Sequence, residues 1–245
     1  MRMLRATMSV IVALFALSVS GTAAAATTNE PAATNLFGGN SFLEINDAGL
    51  LVRWDRTGST YARNVIGSGW GDTRLITGTA DTQLLQLRWD DNLLEWFIPP
   101  GSVRPISAGW GATRLNTGLD NSNFLEIKTN GDLIRWTVNA TGQVWSPVKI
   151  GNGWDNTRLI IGLNSTTFLE VTKAGDLVRW TITANVPSRQ FIGAGWGNAR
   201  LLAGVNGTRF VEVTDSGDLI EWNAAGNTYV GSRAGQGWQP ARLLG

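Results

Sequence analysis

The chain repeats itself about every 42 residues, and this period constrains its fold more than any other feature. The phrase GWGNARLLAG from position 195 has counterparts: GWGDTRLITG from 69, GWGATRLNTG from 109, GWDNTRLIIG from 153 and GWQPARLLG from 237. A second phrase interleaves with it: FLEINDAGLLVRW from 42, LLQLRWDDNLLEW from 84, FLEIKTNGDLIRW from 124, FLEVTKAGDLVRW from 168 and FVEVTDSGDLIEW from 210. Each second phrase is two short hydrophobic runs around a polar turn, which is a hairpin pattern. With the RLL run before it and a variable run after it, every unit holds four strands. No segment has a helical period.

A four-strand repeat of this length predicts an all-β fold, the β-propeller, with one unit per blade. The ends give the count. The repeat region opens partway through a unit, at NSFLEI, and the chain closes on GWQPARLLG, the start of one. Joined, they complete a fifth copy. The spacing therefore predicts five blades over residues 37–245, with the C-terminal strand entering the first blade and closing the ring. Ahead of it, Arg2 and Arg5 precede an apolar run at 8–20 and small residues at Ala24–Ala26. This is the pattern of a signal peptide over 1–26, hence of a secreted, extracellular protein. Residues 27–36, polar and Pro-containing, read as a flexible leader.

Composition narrows the chemistry. Histidine is absent, which removes His general bases and His-ligated zinc, and cysteine is absent, so no disulfide holds the fold. Beyond Arg2 and Arg5, 18 Lys and Arg face 19 Asp and Glu. No basic stripe supports nucleic-acid binding, and no segment approaches the roughly 20 apolar residues of a membrane-spanning helix. Asp90, Asp91 and Glu95 form the one acidic group that departs from the repeat; a glycosidase would need two such carboxylates converging on one site. Five near-identical loops suit a binding protein better than an enzyme with one asymmetric centre, so neither catalysis nor a cofactor is expected.

Three recurring residues are candidates for function. Arg74, Arg114, Arg158, Arg200 and Arg242 each precede, by twelve positions, Gln86, Glu126, Glu170 and Glu212, and across the closure Glu44. Arg200 and Glu212 are symmetric about Asn206, so the two are expected to face each other across a hairpin, as a structural ion pair or as ligand contacts. The Trp closing the second phrase (Trp54, Trp96, Trp136, Trp180, Trp222) reads as packing between blades. The Trp of the first phrase sits in a Gly-flanked loop. It could cap the core, or offer a flat apolar face to a sugar ring while nearby Asn and Asp supply hydrogen bonds.

The units IGSGW, IGNGW and IGAGW followed by GDL-x-x-W resemble the tachylectin-type five-bladed propeller lectins across residues 37–245. That resemblance implies metal-free binding of N-acetylated amino sugars (GlcNAc or GalNAc type) near blade junctions. By position it implies contacts from Trp70, Asp72, Trp110, Trp154, Asp155, Asn156, Trp196, Asn198 and Trp238. The Arg, Glu and Trp recurring in each blade are also similar to the chemistry of fucose-binding propellers. A weaker resemblance, to FG-GAP or VCBS repeats, implies a structural or protein-interaction propeller. Their Asp-rich calcium loop is replaced here by TADTQ, LDNSN, LNSTT and VNGTR. The expected partners are therefore glycans on cell surfaces or polysaccharides.

Overall fold

A computed structural model describes residues 39–98 and 101–245. The signal peptide expected at 1–26 and the leader expected at 27–36 lie outside the described residues. Blade 1 contains β1 (Ser41–Asn46), β2 (Leu50–Thr57), β3 (Thr60–Ser68) and the last strand, β20 (Ala241–Leu244). Blade 2 is β4 (Thr73–Ala80), β5 (Gln83–Arg88), β6 (Leu93–Phe97) and β7 (Ser102–Ser107). Blade 3 is β8 (Thr113–Asp120), β9 (Asn123–Lys128), β10 (Leu133–Val138) and β11 (Trp145–Gly151). Blade 4 is β12 (Thr157–Asn164), β13 (Thr167–Thr172), β14 (Asp176–Thr183) and β15 (Val186–Ala194). Blade 5 is β16 (Ala199–Asn206), β17 (Arg209–Thr214), β18 (Asp218–Ala225) and β19 (Thr228–Gln236).

These are five separate four-stranded antiparallel sheets, arranged as a five-bladed β-propeller. The ring closes as the repeat count predicts. β20 pairs with β1 as the inner strand of blade 1, and Leu43 and Gly245 exchange both backbone hydrogen bonds, at 2.7 and 3.1 Å.

Local chemistry explains the hairpins. Their turns place Gly49, Gly131, Gly175 and Gly217 at φ between 69 and 82°, a region that favours glycine. Blade 2 lacks that glycine and puts Asp91 there instead, at φ 62°. The glycine ending the first phrase has a different job. The inner strands crowd the axis so tightly that a Cβ at Gly118 would overlap the carbonyl of Gly78, and one at Gly162 that of Gly118. Here the Gly118 and Gly162 N–H groups donate to Thr77 and Thr117 Oγ1, at 2.7 and 2.6 Å.

The core is divided into five parts, and each straddles two blades. One joins Ile161, Leu169 and Leu177 of blade 4 to Trp196, Phe210 and Tyr229 of blade 5. Burying a Trp removes about 200 Å² from water, roughly 5 kcal/mol at about 25 cal/mol per Å². The blades are thus held face to face by their own large side chains.

Candidate functional site

The link between blades is a short 3-10 turn, seen at Trp70–Asp72, Trp154–Asn156 and Trp196–Asn198. The preceding glycine is left-handed in each, with φ of 82, 78 and 95°. The Trp N–H donates to the hairpin glycine of the previous blade: Trp70 to Gly49, Trp154 to Gly131, Trp196 to Gly175 and Trp238 to Gly217, all at 2.9–3.0 Å. In blade 3 Trp110 uses Asp91.

The expected ion pairs between Arg and Glu do not form. Two register shifts intervene between the two inner strands of blades 2–5; in blade 5 they fall between Ala199 and Leu201 and between Gly204 and Asn206. Glu212 consequently lies opposite Leu202, and Arg200 occupies the bulge. A bulged residue is re-aimed out of the ladder. Each guanidinium instead grips the linking turn of the next blade. Arg200 donates to the carbonyls of Trp238 and Ala241, both at 2.6 Å. Arg114 does so to Trp154 and Thr157 (2.6 and 2.5 Å), and Arg242 to Trp70 and Thr73 (2.9 and 2.5 Å). Arg158 reaches Trp196 and Ala199, and Arg74 reaches Trp110 and Thr113. The five arginines are a ring of clamps between blades.

Of the two roles open to the first-phrase Trp, the structure shows burial in the core, and the second-phrase Trp packs against it between blades. Trp70, Trp110, Trp154, Trp196 and Trp238 are buried, between 6 and 9 % exposed. Each wedges between blades against the second-phrase Trp of its own unit, at centroid distances of 4.5–4.9 Å. The second-phrase residues Trp54, Trp96, Trp136, Trp180 and Trp222 are half-buried. The strand-ending Trp lies farther from the axis, where the blades diverge, while the linking turn folds its Trp inward.

Three blade junctions open into pockets. Between blades 4 and 5 a cavity of about 540 Å³ is lined by Trp196, Asn198, Glu212, Trp222, Tyr229 and Arg233, among others. Between blades 3 and 4 one of about 550 Å³ is lined by Trp154, Asn156, Glu170, Trp180 and Arg189. Between blades 1 and 2 one of about 600 Å³ is lined by Arg53, Asp55, Trp70 and Trp96. All fall within the range of small-ligand sites. Asn156 and Asn198 are exposed at the pocket mouths, and their carbonyls accept from Lys173 and Asp215 N–H. Asp72 lies apart, paired with Arg88 at 2.7 Å, and Asp155 is exposed against Gly131.

The carboxylates that lost their arginines bind the outer Trp. Trp136 and Trp180 Nε1 donate to Glu126 and Glu170 Oε2 at 2.8 Å, and Thr113 and Thr157 hydroxyls donate to the other oxygen at 2.6 Å. Gln86 does the same work in blade 2, accepting from Trp96 at 2.8 Å and donating to Thr73 at 2.6 Å. In blades 5 and 1 that threonine is Ala199 and Ala241. Glu212 and Glu44 then hold only the indoles of Trp222 and Trp54, at 2.8 and 2.7 Å. Their second oxygens have no partner among the described residues. Burial raises both above the usual carboxylate range, partly opposed by those indole bonds.

Other carboxylates are drawn into pairs. Glu221 joins blades 5 and 1, accepting from Arg56 at 2.8 and 3.0 Å and from Tyr61 at 2.6 Å. Burial pushes this carboxyl up, but the hydrogen bonds from Arg56, Tyr61 and Asn223 outweigh it and hold it down at about 2. The acidic group considered for glycoside hydrolysis is dispersed: Arg88 binds Asp90, Arg74 binds Asp91 at 3.3 Å, and Arg104 and Gln83 bind Glu95. Sequence reasoning missed Trp222, Tyr229 and Arg233 as pocket walls. The signal available was the second phrase, whose Trp lies ten residues after a Glu in four blades and after Gln86 in blade 2.

No protein-family model matches the sequence, and no curated protein does. Solved structures match in fold. U3-55K superposes with a TM-score of 0.50 at 11 % identity, covering 82 % of this chain and 64 % of that one. The RRP9 WD40 repeats give 0.49 at 10 % identity, over 82 and 63 %. Prp20p from Saccharomyces cerevisiae gives 0.44 at 12 % identity, over 81 and 62 %. The chain thus spans under two thirds of the length of these structures, and what it shares with U3-55K is the β-propeller fold.

Proposed function

We propose that this chain is a non-catalytic, exported binding propeller whose ligands are glycans held at the blade junctions. The observation that carries the reading is the recurrence of an open junction pocket with a half-buried Trp beside a carboxylate or carboxamide. An aromatic face suits the C–H face of a sugar, and a carboxylate oxygen accepts from its hydroxyl or amide groups. N-acetylated amino sugars are the first candidates and fucose the second, following the resemblance above. Recurrent sites on one rigid ring also gain from multivalent engagement of a surface. A glycan array probed with the purified protein tests the reading. A folded protein that takes no glycan refutes it.

A second reading, a protein-interaction propeller, is favoured by one observation. Val186, Phe191 and Val230 on the outer strands of blades 4 and 5 are 56–66 % exposed, an apolar rim of the kind that partners cover. Binding to a protein partner that survives substitution of Trp222 and is lost on substituting Phe191 by Ser would select it.

A further inference from the structure

The repeats look equivalent in sequence, but one junction departs from the others in three independent ways, and all three fall at the same cavity. The first is at the carboxylate. In blades 3 and 4 both oxygens of Glu126 and Glu170 are occupied, one by an indole and one by a threonine. In blade 5 Ala199 stands in the threonine's place and one Glu212 oxygen is free among the described residues. Glu212 is 5 % exposed and lines the pocket. That oxygen is not sealed away but faces the cavity, where a ligand or a water can complete it.

The second departure lies opposite Trp222. In the sheet register Trp54, Trp96, Trp136 and Trp180 face Arg63, Val103, Pro147 and Arg189, whereas Trp222 faces Gly231. Gly231 puts no side chain on that wall, and a Cβ there would fall 2.8 Å from the Trp222 ring. The third is at the link. A Cβ at Gly67, Gly151 or Gly235 would lie 2.7–3.0 Å from the indole nitrogen of the next Trp, but at Gly193 it would meet nothing within 4 Å. Gly193 also lines the cavity.

We infer that the junction of blades 4 and 5 is the principal glycan site, with Glu212 accepting a ligand hydroxyl or amide N–H and Trp222 packing on the sugar's C–H face. This rests on the glycan reading above and narrows it from a ring of like sites to one dominant site per chain. Blade 1 shares only the free carboxylate oxygen, because Arg63 stands opposite its Trp54. The bond to Glu212 is charge-assisted and desolvated, which makes it strong. Ala199 and Gly231 therefore determine specificity without touching the ligand themselves.

Equilibrium dialysis of the full protein against labelled N-acetylglucosamine, N-acetylgalactosamine and fucose tests this. For the sugar that binds, the expected result is one tight site per chain. Ala199→Thr, which supplies the hydroxyl that occupies Glu170 in blade 4, and Gly231→Arg, which restores the side chain opposite the Trp, should each weaken that site tenfold or more. Thr157→Ala with Arg189→Gly should create a second tight site in blade 4, a gain that misfolding cannot produce. Five equal sites overturn the inference, as does unchanged binding in folded Ala199→Thr together with no gain in the blade 4 variant; both leave the glycan reading standing. If the wild-type protein takes none of these sugars and no glycan on an array, both fall together.

Discussion

Replacing Arg200 by Met tests the clamp between blades where it matters most, at the strand that closes the ring. The guanidinium makes two bonds of 2.6 Å, to the carbonyls of Trp238 and Ala241, which begin the closing segment. A hydrogen bond from a charged donor contributes about 1.5–3 kcal/mol. Arg200 is half-buried, and the Trp238 carbonyl keeps a second donor in Ala241 N–H at 3.1 Å, so the lower end applies to both. Met retains the apolar stem, so the loss is about 3 kcal/mol. With an unfolding entropy of about 2.1 cal/mol/K per residue over the folded ring, that lowers Tm by about 7 °C. Thermal unfolding followed by circular dichroism, with calorimetry to confirm one transition, measures it. Glu212→Gln is the control: if Arg200 were paired with Glu212, both variants would lose the same energy and their effects would not add. Here the double variant should be additive within about 0.5 kcal/mol. A drop under about 2 °C for Arg200→Met, or strong coupling to Glu212, refutes the clamp.

Other outcomes follow from the same contacts. Glu170→Gln should change stability by less than about 1 kcal/mol, because Gln86 already accepts from a Trp and donates to a Thr in blade 2; chemical denaturation would show it. Gly162→Ala should cost about 3 kcal/mol or prevent folding, since the new Cβ overlaps the Gly118 carbonyl at the crowded axis; expression yield and Tm report it. Glu221 is held at about 2, below its unfolded value, so its contribution is present above about pH 4.5 and is lost as pH falls towards 2. Its partner Arg56 is partly exposed, so solvent screening limits that contribution to about 2 kcal/mol. In Glu221→Gln the fall in Tm between pH 5 and 3 should be shallower than in the wild type, and an unchanged slope would refute the assignment.

The blade count, the strand content and the closing strand were legible because they depend on period and on local residue chemistry. Alternating runs, turn glycines and the split unit specify a ring of five without any knowledge of contacts. The glycine before each linking Trp was legible as a loop residue, but its left-handed conformation came from the structure, and its companion at the end of the phrase needed the axis to explain it. Symmetry about a hairpin centre failed for Arg200 and Glu212 because it counts residues, and two bulges between their strands shift the count.

What the sequence determined by itself is therefore the frame: all-β, five units, each with the same Arg and Trp and, in all but the second, the same Glu. Only the tertiary structure decided what those residues touch. A bulge sends Arg200 to the next blade, inward folding of the linking turn buries Trp196, and divergence of the blades away from the axis leaves Trp222 half open. The free oxygen of Glu212 belongs to the same class, since an alanine at 199 acquires meaning only when strand pairing brings it beside a carboxylate thirteen residues away. Repetition is a local property of the chain, whereas the difference between one junction and the next arises from side chains that meet across strands and blades.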